Sequence, residues 1–192
     1  MIRILKSSVF ALHQFKNYLP QTQLLMLYHA FVRSHINYII PFLGMASNQS
    51  IQKINNLDRQ ALRAVFGISM RDSISHKYTE HTILTLHQLI NLYKCKIMYR
   101  VDHNQLGGEF DLFWHKNTTR QGSRELRNHN HYQIPQRISY ESLKRSPLIS
   151  FPYCYNNLPN ELKILPKLRS FTTDTKRFLF TNGGGDLVMS EN

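Results

Sequence analysis

Apolar side chains recur every three or four residues along much of this chain, and that spacing predicts a mostly α fold. The first repeat places Leu5, Val9 and Leu12 on one face of an amphipathic helix that begins at the N-terminus. A second helix is expected to open at Pro20, because the missing N–H of proline costs nothing in a first turn. It should end before Pro41, since proline disfavours helical backbone at the residue that precedes it.

The third predicted helix has the clearest pattern. An apolar stripe runs from Ile51 to Val65, a Ser or Asn at 47–50 can cap its start, and Gly67 provides the stop. The opposite face gathers polar, mostly basic residues, which are Lys53, Asn56, Arg59, Gln60 and Arg63. Asp58 is the one residue that interrupts this pattern. The face suits contacts with an anion, and a solvated helix surface explains it equally well.

Downstream, the helical pattern is more broken. We expect a short turn near Tyr78, a fourth helix over about 83–101, a brief helix near 161–165 and a final helix capped by Ser170. Residues 115–145 lose the apolar periodicity and carry seven Lys and Arg with two interleaved tyrosines, which suits phosphate contacts and base stacking. The candidate contacts in this segment are Arg120, Arg124 and Arg127. A loosely packed basic loop is the alternative.

The charge balance favours an anionic partner. The 192 residues include 24 Lys and Arg against 12 Asp and Glu, a formal net charge of +12. Nucleic acid, RNA or DNA, is the first partner that this excess suggests, and an anionic membrane surface is the second. Neither a signal peptide nor a transmembrane run is recognisable, so no transmembrane span is expected, and our first expectation is that there is no membrane partner. The two isolated cysteines fit a reducing compartment, and the localisation stays open between nucleus and cytoplasm.

No catalytic or cofactor motif is recognisable, and no cofactor is expected. Adjacent aspartates, typical of polymerases that hold two metal ions, do not occur, and Walker or Rossmann glycine loops are missing. Cys95 and Cys154 stand outside any paired motif, so neither a disulfide framework nor a zinc site is expected. His129-Asn130-His131 weakly resembles a nuclease motif, which leaves a metal-dependent nuclease as a third hypothesis.

Several short motifs, taken in order, resemble the segment after the polymerase core of non-LTR (LINE-type, jockey-like) retrotransposon reverse transcriptases. That segment typically reads Leu-Pro, Ser-His-Leu-x-Tyr-Gly, Trp-Gly and a helix with a Gln-Lys-x-Ala-hydrophobic-Arg core. The corresponding residues here are Tyr18-Leu19-Pro20, Leu27-Tyr28-His29-Ala30-Phe31-Val32-Arg33-Ser34-His35-Ile36-Asn37-Tyr38, Leu43-Gly44 and Leu57-Asp58-Arg59-Gln60-Ala61-Leu62-Arg63-Ala64-Val65-Phe66-Gly67. Downstream, the family's Asn-Thr-Arg, Trp-Asn-x-Leu-Pro and closing Ser-Phe-Lys-type helix are matched by Asn117-Thr118-Thr119-Arg120, Tyr155-Asn156-Asn157-Leu158-Pro159 and Ser170-Phe171 with Lys176-Arg177-Phe178-Leu179. The departures are Ile39 in place of Gly, and Leu43 and Tyr155 in place of Trp.

The resemblance covers roughly residues 1–180 and implies a thumb-like bundle that grips a template–primer duplex through Lys53, Arg59 and Arg63. The family's catalytic positions have no counterpart, which suggests a truncated or decaying element copy or a fragmentary gene model. The first helix would then lack packing partners from the palm, leaving its apolar face exposed. The predicted parts are a thumb-like bundle over 1–68, a helical extension over 69–106, a basic irregular segment over 107–150, a C-terminal helical segment over 151–181 and a disordered tail over 182–192.

The leading hypothesis is therefore a catalytically incomplete fragment of an RNA-directed DNA polymerase that retains template or primer binding. A full-length element-encoded polymerase is a further expected partner, acting in trans. The alternative is a helical protein-interaction or structural remnant whose charges only face solvent.

Overall fold

The structure, a computed structural model, describes residues 1–107, 113–117, 130–135 and 140–182. These residues are mostly helical, which confirms the predicted fold class, and the one extended pairing among them is an antiparallel bridge between Lys116 and Tyr132. The chain divides into two compact units, residues 1–86 (unit 1) and 87–192 (unit 2). The finer division into five parts stays a prediction.

Unit 1 contains five α-helices and one π-helical turn. In chain order they are α1 (Ile2–Phe15), α2 (Gln21–Tyr28), the π-helical turn (His29–Arg33), α3 (Ser34–Leu43), α4 (Asn48–Phe66) and α5 (Ser75–Glu80). α1 packs along α4, and α2 with the π-helical turn packs against both of them. The short helix expected near Tyr78 is confirmed as α5.

The prediction that the apolar face of α1 stays exposed is wrong. Leu5, Val9 and Leu12 are all buried in unit 1. α4 supplies the packing partner that the family resemblance assigned to a palm. Burial of each such side chain contributes about 1.5–3 kcal/mol, so α1 belongs to the core of this unit.

The prediction that a helix ends before Pro41 is also wrong, because α3 continues through the proline to Leu43. Ile36 and Ile40 are buried before Pro41, and Leu43 is buried after it. The proline removes a helical hydrogen bond to the carbonyl of Asn37, but that residue is exposed and water can solvate it. Apolar burial on both sides offsets a proline cost of about 3 kcal/mol.

α4 has the capped start and the glycine stop that its sequence predicts. Ser47 is the N-cap, and its Oγ accepts a hydrogen bond from the backbone N–H of Ser50 at 3.3 Å. Gly67 ends the helix in the left-handed conformation, with φ of 64°. The predicted apolar stripe is buried at Ile54, Leu57, Ala61, Leu62 and Val65.

Unit 2 is organised around α6. Its helices are α6 (Leu86–Asp102, beginning at the boundary between the units), α7 (Glu141–Lys144), α8 (Pro147–Asn156), α9 (Asn160–Lys163) and α10 (Leu168–Thr181). The ring of Tyr99 on α6 stacks on Phe171 of α10 at 4.2 Å between centroids, and Gln88 Nε2 donates to the carbonyl of Leu179 at 2.9 Å. Ser170 lies inside α10 and does not cap it, because the backbone turns helical directly after the extended residue Lys167.

Candidate nucleic-acid interface

The three basic residues predicted on α4 have different surroundings. Lys53 is exposed and Arg59 is half-buried, and neither has a hydrogen bond or ion pair with another described residue. Arg63 is engaged, since its Nε donates to the carbonyl of Ser69 at 3.2 Å and its Nη2 donates to the carbonyl of Asp72 at 3.0 Å. Arg63 therefore holds the loop after α4, whereas Lys53 and Arg59 are available to an anion.

The other three predicted contacts, Arg120, Arg124 and Arg127, lie outside the described residues. Their role as phosphate contacts stays a prediction.

Asp58 does not belong to the basic face of α4. It follows Ile54 by four residues and precedes Ala61 by three, so it falls on the apolar stripe, and its side chain is fully buried. Tyr28 Oη donates to Oδ1 of Asp58 at 2.7 Å, and Tyr78 Oη donates to Oδ2 at 3.2 Å. The helical spacing was the signal that identifies Asp58 as a core residue.

Arg33 completes this group, which we call the Asp58 cluster (Tyr28, Arg33, Asp58 and Tyr78). Its Nη1 lies 3.7 Å from Oδ2 of Asp58, and its Nη2 donates to the carbonyl of Leu84. A buried carboxylate with a counter-ion and two hydroxyl donors meets the needs of a charge held away from water. The cluster joins α2, the π-helical turn, α4 and α5.

The π-helical turn explains how Tyr28 and Arg33 reach the same carboxylate. In a regular α-helix, residues five positions apart point about 140° away from each other. The wider turn, closed by the N–H of Ser34 on the carbonyl of His29, brings such residues nearer to one face. The guanidinium of Arg33 accordingly lies 5.8 Å from the ring centroid of Tyr28.

The Asp58 cluster is built for stability and not for proton transfer. Burial, followed by the negative charge of Asp58, raises the pKa of Tyr28 well above its usual value, and the same two causes raise the pKa of Tyr78. Both phenols therefore stay protonated as donors to the carboxylate. Because the group is sealed in the core, it fixes α4 rigidly beneath its exposed basic residues.

Unit 1 carries a large excess of basic over acidic side chains. Its 86 residues hold nine Lys and Arg against three Asp and Glu, and the first 57 residues contain no acidic side chain. Of the three carboxylates, Asp58 is buried and Glu80 pairs with Lys77 at 2.6 Å. Asp72 is thus the one exposed carboxylate of this unit outside an ion pair.

A second group centred on a carboxylate lies in unit 2, around the half-buried Asp102. Its Oδ1 accepts from Tyr132 Oη at 3.0 Å and pairs with the ammonium of Lys116, and its Oδ2 accepts from Tyr155 Oη at 3.0 Å. Burial alone would raise the pKa of Asp102, but the hydrogen bond and charge of Lys116, with the two phenols, hold it below its usual value. Lys116 of the predicted basic segment is therefore a structural residue.

The motif residue Asn156 also has a structural role. Its Oδ1 accepts from the backbone N–H of Tyr132 and its Nδ2 donates to the carbonyl of the same residue, both at 2.9 Å. With one acceptor and one donor, the side-chain amide pairs with the backbone N–H and C=O of Tyr132 as the backbone of a neighbouring β-strand would. Asn156 thus holds the segment 130–135 against α8.

No metal or reactive thiol centre is found in the part of the chain that the structure describes. There, no three His, Cys, Asp or Glu side chains meet as a metal site would require. His131 is described, whereas its predicted nuclease partner His129 lies outside the described residues. Burial raises the pKa of Cys154 to about 11 and that of Cys95 well above its usual value, which keeps both as thiols.

Comparisons with family models, with curated proteins and with solved structures found no match for this chain. The likeness to reverse transcriptases is therefore carried by the quoted motifs alone. Within the described ranges, no helix has the length and apolar character needed to cross a membrane.

Proposed function

We propose that this chain binds nucleic acid through the phosphate backbone, in the manner of the segment that follows the polymerase core in non-LTR reverse transcriptases, and that it has no polymerase activity by itself. The observation that carries the proposal is the one-sided charge of unit 1. Lys53 and Arg59 face a surface on which Asp72 is the one carboxylate outside an ion pair. Such a surface attracts a polyanion and has little with which to repel it.

The basic residues stand on a helix whose position is fixed. α4 is held by the buried charge and hydroxyl contacts of the Asp58 cluster and by packing against α1. Lys53 and Arg59 are separated by about 9 Å along the axis of such a helix and by about 120° around it. They therefore suit two separate phosphates and not one shared group.

The test is a titration of labelled single-stranded RNA and of duplex DNA with the wild-type chain and with the double variant Lys53→Gln, Arg59→Gln. Loss of two phosphate contacts should weaken binding and reduce the slope of log affinity against log salt by about 1.4 on a single strand and 1.8 on B-form DNA. Arg63 is left unchanged, because its hydrogen bonds hold the following loop.

The control is Lys176→Gln, Arg177→Gln on α10, which removes the same charge from two exposed residues of unit 2, of which Arg177 pairs with Asp174 at 3.5 Å. It should leave the affinity within about twofold of the wild type, since only charges at the interface change the number of released counter-ions. Equal losses of affinity in both double variants would show that binding depends on the net charge of the chain and not on Lys53 and Arg59. Absence of binding at low salt would remove the proposal.

A protein-interaction role is the second candidate, and exposed apolar side chains on α3 favour it. Tyr38 and Phe42 are exposed large hydrophobics on this helix, and Met45 follows at the same helical spacing. The partner tested first is a second copy of the chain, detected by light scattering and disrupted by Phe42→Glu. On this reading, the Lys53→Gln, Arg59→Gln variant would keep its nucleic-acid affinity.

A further inference from the structure

The outward face of α1 carries a basic and aromatic stripe that was not among the predicted contacts. Arg3, Lys6, Phe10 and His13 are all exposed, and helical geometry places them within an arc of about 80°. The Phe10 side chain is 65% exposed and lies one helical turn from Lys6 and two turns from Arg3. We call these four residues the α1 outer stripe.

The charge of the α1 outer stripe is uncompensated. α1 has no acidic residue, and the nearest one in sequence, Asp58, is buried with Arg33 as its counter-ion. The side chains of Arg3, Lys6 and His13 make no ion pair or hydrogen bond with any other described residue. A surface of this kind is complementary to a polyanion.

Phe10 narrows the choice of polyanion. An exposed aromatic ring flanked by cations matches the arrangement in which bases stack on the ring while the cations hold the phosphates. A duplex keeps its bases stacked internally and offers no base face to such a ring, whereas a single strand does. The stripe spans about 15 Å from Arg3 to His13, the length of about four stacked nucleotides.

We infer that the α1 outer stripe binds single-stranded nucleic acid, with Phe10 stacking on a base and with Arg3 and Lys6 contacting adjacent phosphates. The inference rests on the proposed nucleic-acid role and adds to it a second surface and the form of the strand.

A membrane surface fits the same charge less well. Helices that lie on membranes insert a broad apolar face into the lipid, with the cations on the opposite side. In α1 that broad face consists of Leu5, Val9 and Leu12, and it is already buried in the core of unit 1. The other exposed apolar side chains of α1, which are Ile2, Ile4 and Phe15, lie about 80–140° around the helix from Phe10 and do not extend it into one apolar face.

Two matched substitutions test the stacking contact. Phe10→Ala removes an exposed ring that lies near Arg3 and Lys6 on α1. Phe42→Ala removes a ring that is 67% exposed on α3, a helix that has no Lys or Arg. Phe10→Ala should weaken binding to a single-stranded oligonucleotide by about 5- to 100-fold and leave duplex affinity within about twofold. Phe42→Ala should change neither, and circular dichroism should show that both variants fold.

A second variant, Arg3→Gln with Lys6→Gln, should lower the salt slope on a single strand by about 1.4, while Phe10→Ala should leave that slope unchanged. Equal behaviour of Phe10→Ala and Phe42→Ala would overturn the inference, and so would equal losses on single strand and duplex. Full competition by poly-glutamate, or Phe10-dependent binding to phosphatidylserine vesicles in place of RNA, would also overturn it. If the Lys53→Gln, Arg59→Gln variant loses affinity while Phe10→Ala does not, the proposed function stands and this inference fails.

Discussion

Replacing Asp58 with asparagine changes one buried atom type and removes one charge, so it measures what the Asp58 cluster contributes. In the wild type, the carboxylate accepts two phenolic hydrogen bonds and balances Arg33. Hydrogen bonds to a charged group contribute about 1.5–3 kcal/mol each, against about 0.5–1.5 for neutral ones. Leaving one member of a buried ion pair without its partner costs about 3–5 kcal/mol. We therefore expect Asp58→Asn to lower the free energy of unfolding by about 3–5 kcal/mol.

The assay is urea denaturation followed by far-ultraviolet circular dichroism, because the single tryptophan, Trp114, lies in unit 2 and does not report on unit 1 directly. Asp72→Asn is the control, since it removes an exposed carboxylate from the same unit and should change stability by about 0.5 kcal/mol at most. The double variant Asp58→Asn, Arg33→Met should lose less unfolding free energy than the two single variants lose in sum. A loss below about 1 kcal/mol for Asp58→Asn would show that the Asp58 cluster contributes little to the stability of unit 1.

Three further predictions concern titration and backbone strain. Folding lowers the pKa of Asp102, so its ionised carboxylate stabilises the fold above the unfolded pKa of about 3.9. That stabilisation is lost as the pH falls through the folded pKa. Asp102→Asn should therefore flatten the acid side of the curve of unfolding free energy against pH. Folding raises the pKa values of Tyr28 and Tyr155, so their protonated hydroxyls stabilise the fold below the unfolded pKa of about 10, and this stabilisation is lost at higher pH. The tyrosinate absorbance of these two residues should therefore appear together with unfolding and not before it. Gly67→Ala should cost about 1–2 kcal/mol in chemical denaturation through its positive φ alone, because no atom lies within 4 Å of the added Cβ.

The helical periodicity was enough to predict the fold class and most of the helices in unit 1. The local signals at Ser47 and Gly67 act through hydrogen bonds and backbone conformations within a few residues, so the sequence reveals them directly. The prediction that the helix ends before Pro41 was wrong because burial of apolar residues on both sides of the proline maintains the helix, which is a tertiary effect.

The contacts of the Asp58 cluster could not be predicted from the sequence, because they too are tertiary. Its members are contributed by positions as far apart as Tyr28 and Tyr78, and a sequence pattern does not say which polar residues meet. The position of Asp58 on the apolar stripe was visible, but its partners were not. The same holds for Lys116, whose pairing with Asp102 removes it from the set of available basic residues.

The decisive measurement of nucleic-acid binding by this chain is the salt dependence of its affinity for single-stranded RNA. For the wild-type chain, the logarithm of the affinity should fall linearly with the logarithm of salt concentration, by about 0.7 for each phosphate contacted. The Lys53→Gln, Arg59→Gln variant should give a shallower line, and the Lys176→Gln, Arg177→Gln variant should follow the wild type. Binding that is independent of salt, or no binding even at about 50 mM salt, would contradict a nucleic-acid role for this chain.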